Sequence, residues 1–237
     1  MTDDQDTRRE RLYNAIGQAL LMLRRKEDTG PQLDYIRDHF PSPAFFVEAS
    51  RPLMEHSGIK ELEAFYFAMI PGLARRSGRD GFGVKPLLNR MELMGDYLRT
   101  LYIGVHAEKF YLVTLDGRGH MVRTILLQEG TSSSAPFYLK QVLSTAVNSK
   151  GTKAIVLSHN HPVGTTVASD EDIACTLLAL QAAATLGIPL LDHIIIADGT
   201  PVSVRASGRI HAQLWLMQDP DSALLRNWTR KPKGTEN

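Results

Sequence analysis

The chain has 237 residues, 43% of them hydrophobic and 22% charged, a globular composition that can bury a core. Its formal net charge is +1, and residues 1–106 carry 15 basic and 15 acidic side chains, so bulk charge gives no case for nucleic acid or anionic membrane. The single cysteine, Cys175, excludes an intramolecular disulfide and a Cys-rich zinc site. The opening MTDDQDTRRE is polar and acidic, unlike a signal peptide. No apolar run approaches the ~18 residues needed to cross a bilayer, and the expected location is the cytoplasm.

From about Arg8, Leu12, Ile16, Ala19, Leu20 and Leu23 fall at helical spacing. A second helical stretch, residues 33–40, ends at Pro41-Ser42-Pro43. Residues 52–76 read as a short helix, a Ser-Gly-Ile turn and a longer apolar helix. The segment 77-SGRDGFG-83 has three glycines in seven residues and is the expected linker. A helix over roughly 86–103 follows, and then the period changes. Two β-rich runs within 109–130 are joined by Asp116-Gly117, a hairpin signal. A helix at about 137–149 leads to the buried strand 153–158. A long helix at about 170–186 is stopped by Gly187 and Pro189. The strand 190–197 turns at Asp198-Gly199 into 201–206. This alternation predicts an α/β domain with a mixed sheet. Three parts are expected: a helical domain over 1–83, an α/β domain over 84–210, and a C-terminal helix with a polar tail over 211–237.

The chemistry concentrates in 157-LSHNHPVGTTVASDED-172. His159 and His161 are two apart at a strand end, so an extended backbone points both rings to one side, where both can reach one ion at ~2.0–2.1 Å. Asp172 lies in the first turn of the next helix, which a strand–loop–helix connection can bring back over the strand end. Two histidines and a carboxylate leave a fourth position open, as in a catalytic rather than a structural zinc site. Ser169 to Asp172 is also a capping box, which needs no metal, and both readings stand at this point. The lone cysteine rules out the zinc-deaminase Pro-Cys-x-x-Cys, and no His-Glu-x-x-His is present. Asp192-His193, in an apolar strand, reads as a satisfied structural pair, and Cys175 as a small hydrophobe.

Residues 108–206 resemble the RadC family, a branch of the JAMM (MPN+) metalloprotease superfamily. The motif is His159-Asn160-His161, seven residues, Ser169, two residues and Asp172, the superfamily's H-x-H-x7-S-x2-D without a gap. The strands 192-DHIIIADG-199 and 108-EKFYLVTLD-116 resemble that family's as well. The resemblance implies a JAMM/MPN-like, cytidine-deaminase-like mixed sheet flanked by helices. It implies one Zn2+ held by His159, His161 and Asp172, with Glu108 as general base and Ser169 as a donor to the oxyanion. Glu129 is the reserve candidate for the base. The implied activity is hydrolysis of a peptide or isopeptide-linked protein.

Residues 52–76 resemble the helix-hairpin-helix that precedes the metal domain in RadC proteins. Such hairpins bind DNA phosphates through backbone N–H groups. This copy has only Gly58, with Glu61 and Glu63 after Lys60, and reads as a packing module. The family's His-Pro-Arg-Glu is replaced by Ala135-Pro136-Phe137-Tyr138, and the loop 163–168 lacks the usual acid and second proline. A DNA-associated protein and a catalytically silent binding module are the alternative functions.

Overall fold

The computed structural model of the chain describes residues 3–24, 28–47, 49, 51–130, 135–162 and 164–229. It contains two compact units, residues 1–76 with 103–106, and residues 77–102 with 107–237.

The first unit is helical: α1 (Asp3–Leu23), α2 (Gly30–His39), α3 (Pro43–Val47), α4 (Arg51–His56) and the greater part of α5 (Glu61–Asp80). Its core joins Ile16 and Leu20 of α1, Ile36 of α2, Phe46 of α3, Met54 of α4 and Phe67 of α5. The turn between α4 and α5 passes through Gly58, whose φ of +73° suits a residue without Cβ. Arg24 reaches this turn from the end of α1. Its Nε and Nη2 donate to Glu63 Oε1 and Oε2 at 2.7 and 2.8 Å, and Nη2 also donates to the Gly58 carbonyl at 2.7 Å. The expected linker does not begin at Ser77, because α5 continues to Asp80. Gly78 alone does not stop a helix, and the turn is confined to 81–83.

In the second unit α6 (Met91–Leu101) is shorter than its apolar pattern predicts. Residues 86–88 instead pair with the following hairpin: Leu88 N–H donates to the Gly119 carbonyl at 2.8 Å and Met121 N–H to the Pro86 carbonyl at 2.9 Å. The hairpin is β1 (Lys109–Leu115) and β2 (Met121–Glu129), turned at Asp116, whose carboxylate accepts from the Arg118 and His120 N–H groups. Then come α7 (Ala135–Asn148), β3 (Ala154–His161), α8 (Asp170–Leu186), β4 (Leu190–Ala197) and β5 (Thr200–Ser203). The sheet order is β2-β1-β3-β4-β5, with β3 and β4 parallel and the other neighbours antiparallel. It is a mixed sheet flanked by helices, as the alternation of elements predicts.

Alternate strand residues Phe110, Leu112, Ile155, Leu157 and Ile195 join Val142 of α7 and Leu180 of α8 in one core. The intervening Val113, Val156, Ile194 and Ile196 are buried too. Burial on both faces explains why the β4 segment reads as a continuous apolar run. His159 and His161 continue the Ile155–Leu157 face, so the sheet's own alternation carries them to the α8 side.

Residues 211–229 are anchored by a few buried side chains. Short helices α9 (Ala212–Leu216) and α10 (Ala223–Asn227) bury Trp215 and Trp228 completely. Trp228 Nε1 donates to Asp192 Oδ2 at 2.9 Å, and Arg205 donates to the Leu191 and Leu225 carbonyls. Two large aromatic residues in a polar segment are the sequence sign of this docking. The polar stretch from 230 onward lies outside the described residues.

Candidate metal centre

Three elements build the site. β3 ends in His159-Asn160-His161, α8 begins beside it, and β4 runs parallel to β3 behind it. The α8 N-terminus carries a full capping box. Ser169 Oγ accepts from Asp172 N–H at 3.0 Å, and Asp172 Oδ2 accepts from Ser169 N–H at 2.7 Å. Arg209 locks this turn from the far side, donating to the Ala168 carbonyl and pairing with Asp170.

Capping does not exhaust the Asp172 carboxylate. Oδ1 lies 3.1 Å from His159 Nε2 and Oδ2 lies 3.3 Å from His161 Nε2. The two Nε2 atoms are 3.0 Å apart. Among the described residues this is the one group of three or more His, Cys, Asp or Glu able to hold a metal ion. Three donors each ~2.0–2.1 Å from one tetrahedral ion stand about 3.3 Å apart, so the spacing fits. Two imidazoles and a carboxylate are also a donor set that suits zinc. The cap and the cluster, alternatives in the sequence, are one carboxylate serving both.

The far nitrogens are committed elsewhere. His161 Nδ1 lies 2.8 Å from the Thr165 carbonyl, which can only accept, so Nδ1 bears a proton and Nε2 is the nitrogen that the neutral ring leaves bare. His159 Nδ1 lies 2.8 Å from His193 Nε2, and His193 Nδ1 lies 2.7 Å from Thr176 Oγ1. Phe110 lies parallel to the His159 ring, with centroids 5.9 Å apart. His159 is buried, while His161 and Asp172 open to solvent on one side.

Electrostatics follow from these contacts. Burial works to raise the Asp172 carboxyl, but its contacts with His159 and the Ser169 N–H outweigh that and hold it far below the usual range. Burial is the largest cause that pushes His193 down to about 3, so its ring is neutral. Cys175 is half-buried. Burial and the Asp172 charge push its thiol up to about 11, which keeps it protonated and no competitor for a cation.

Glu108 is half-buried and immediately precedes β1. The antiparallel register ends at Phe110↔His159, and two residues beyond that pair stand Glu108, just before β1, and His161, the last residue of β3. The ladder gives way there to the Asn160 side chain. Its Oδ1 accepts from Lys109 N–H at 2.8 Å and its Nδ2 donates to the Ala107 carbonyl at 3.1 Å. Both backbone neighbours of Glu108 are thereby pinned, on the edge of the face that bears the histidines. Glu129, the reserve base, instead pairs with Lys109 at 3.2 Å and is mostly exposed.

Asn160, Thr176 and His193 are the site residues that sequence reasoning did not assign. Asp192 is the structural half of its dipeptide: its carboxylate accepts from Ser203, Trp228 and the His193 and Arg205 N–H groups. His193 points the other way, to His159. The signal was present, since a histidine in a strand whose eight residues are all buried must find a partner. The side chains of Ala135–Tyr138, and Val163, lie outside the described residues.

A mixed sheet with a helix N-terminus returning over a His-x-His strand end defines a JAB/MPN-type domain. The model of the RadC-like JAB domain matches residues 88–209. A UPF0758 protein of Shouchella clausii is 32% identical over 170 residues, covering 71% of this chain and 74% of that protein. A UPF0758 protein of Rhodobacter capsulatus is 28% identical over 197 residues, 83% and 92% of the two chains. One from Pelobacter propionicus is 35% identical over 108 residues, 46% and 47%. The chain belongs to the RadC family, with a RadC-like JAB domain. Among the described residues no helix is long and apolar enough to cross a membrane.

Proposed function

We propose that the protein is a zinc-dependent hydrolase of the metallopeptidase or isopeptidase class, acting in the cytoplasm. One observation carries this reading: two imidazole Nε2 atoms and a carboxylate converge at 3.0–3.3 Å. With both Nδ1 atoms engaged elsewhere, the ring nitrogens left beside the carboxylate are the Nε2 pair that a metal ion needs.

A bound zinc ion supplies Lewis acidity, which makes water a competent nucleophile near neutral pH. The chain's own groups do the rest. Glu108 takes the proton from the attacking water and returns it to the leaving nitrogen. Its carboxylate suits this work because Asn160 holds the backbone on both sides of it. Ser169 Oγ already accepts from Asp172 N–H, so its hydroxyl proton is available to donate to the oxygen that gains charge.

A peptide substrate is favoured over DNA by the α4–α5 turn. There Lys60 N–H donates to Glu63 Oε2 at 2.7 Å, so a carboxylate stands where a phosphate oxygen would bind. Metal analysis of the purified protein tests the reading. About one zinc per chain, lost in His161→Ala, is expected, followed by peptidase activity that Glu108→Gln abolishes. A folded wild type unable to take up zinc would overturn it.

A further inference from the structure

The two histidines of the cluster obtain their orientation by different means. His161 ends β3, beside a loop, and the Thr165 carbonyl is to hand for its Nδ1–H. His159 lies inside the sheet, where strand carbonyls are committed to the ladder. Its Nδ1 therefore needs a side chain, and β4 supplies His193 directly behind it.

The direction of the hydrogen bonds can be read from the far end. Thr176, one turn beyond Asp172 on α8, lies 2.6 Å from the Asp172 carbonyl. A carbonyl only accepts, so the hydroxyl proton goes there, and Thr176 Oγ1 must accept from His193 Nδ1–H at 2.7 Å. A neutral imidazole has one N–H. His193 Nε2 is then the acceptor and His159 Nδ1 the donor, so in the neutral His159 ring Nε2 is bare and aimed at the other donors of the cluster. The chain of bonds runs His159, His193, Thr176, Asp172 carbonyl. It crosses β3, β4 and α8 and begins and ends on residues of the same cluster.

We propose that Thr176 and His193 are positioning residues that hold His159 in its Nδ1–H tautomer and so present Nε2 to the metal. The inference rests on the metal reading above. Neither residue touches the ion or the substrate. Losing the Thr176 hydroxyl frees His193 to turn its proton the other way, which stations a proton on His159 Nε2 where the cation must bind. Partners of this kind behind metal-bound histidines are worth about 10–100-fold in metal affinity.

Zinc titration against a chromophoric competitor, on the full chain, tests the relay in wild type, Thr176→Val, Thr176→Ser and His193→Gln. Thr176→Val keeps the side-chain shape and is expected to weaken zinc about 10-fold, while Thr176→Ser stays near wild type. His193→Gln is expected to lose at least as much. Because that ring is fully buried, Thr176→Val carries the test if His193→Gln does not fold. The second readout is the imidazole 15N spectrum of the metal-free protein. It should show His159 as the Nδ1–H tautomer in wild type and Thr176→Ser, and a mixture in Thr176→Val. A folded Thr176→Val with wild-type affinity, or with an unchanged tautomer, overturns the relay alone. A wild type that binds no zinc overturns the metal reading and the relay with it.

Discussion

The two units share one local device and use it differently. At the N-terminus of α5, Glu63 stands at the third helical position and accepts from the Lys60 N–H. At the N-terminus of α8, Asp172 holds the same position and accepts from the Ser169 N–H. Each carboxylate faces inward as well as back along the chain. What Glu63 meets is a guanidinium, whose fork satisfies both oxygens. Asp172 meets the Nε2 atoms of two imidazoles whose Nδ1 atoms are engaged elsewhere. The first arrangement is electrostatically closed and the second is open to a cation. A helix cap is therefore no argument against a functional role, because the partner on the inner side decides which it is.

The largest expected effect breaks the open site. His161→Ala should reduce zinc from about one per chain to none with the circular dichroism unchanged, since that ring lies at a solvent-facing strand end. The same removal at the closed site should behave oppositely, costing stability and no metal. Arg24→Met leaves the buried Glu63 carboxylate without its guanidinium partner, and should cost about 3–5 kcal/mol in denaturant unfolding. Replacing both partners, as Arg24→Met with Glu63→Leu, should recover most of that loss.

The closed pair also carries a pH signature. Burial works to raise the Glu63 carboxyl, but the Arg24 hydrogen bond, the Lys60 N–H and the Arg24 charge hold it below the ordinary range. A carboxylate depressed in the folded state adds stability above its unfolded pKa. That stability disappears as pH falls through the folded value. Unfolding titrations below about pH 4.5 should therefore show a loss in wild type that the double variant lacks.

Two smaller effects sharpen the contrast within the second unit. Asp192→Asn turns an amide N–H toward donors from Ser203, Trp228 and the backbone, and should cost about 1–3 kcal/mol while zinc binding persists. Ser169→Ala should cost about 1 kcal/mol through the lost cap. Its zinc content should be retained, and any further loss of turnover then measures the oxyanion contact separately from the cap.

Much of this was legible in the residues. Alternation and turn chemistry announced the mixed sheet, with Asp198-Gly199 joining β4 to β5 through two positive φ angles. Gly187 closes α8 in the left-handed conformation expected of a stop signal. The His159–His161–Asp172 grouping was legible because period-2 alternation and a helix start are both local rules. The 86–90 segment misled, because its apolar residues serve a bridge to the 119–121 turn and not a helix face. The sequence left open what the 211–229 segment packs against, since its docking depends on Asp192 and Arg205 offering partners from elsewhere in the chain.

What the sequence by itself determined was the inventory: which side chains sit at a strand end, which acid opens the next helix, and which strand is buried on both faces. Such features follow from backbone periodicity and capping, which act within a few residues. The tertiary structure decided the partners. That Asp172 faces imidazoles and Glu63 a guanidinium, that Asn160 pins the flanks of Glu108, and that His193 stands behind His159 all depend on which strands become neighbours. Strand order is set by burial across the whole sheet, and no local pattern encodes it.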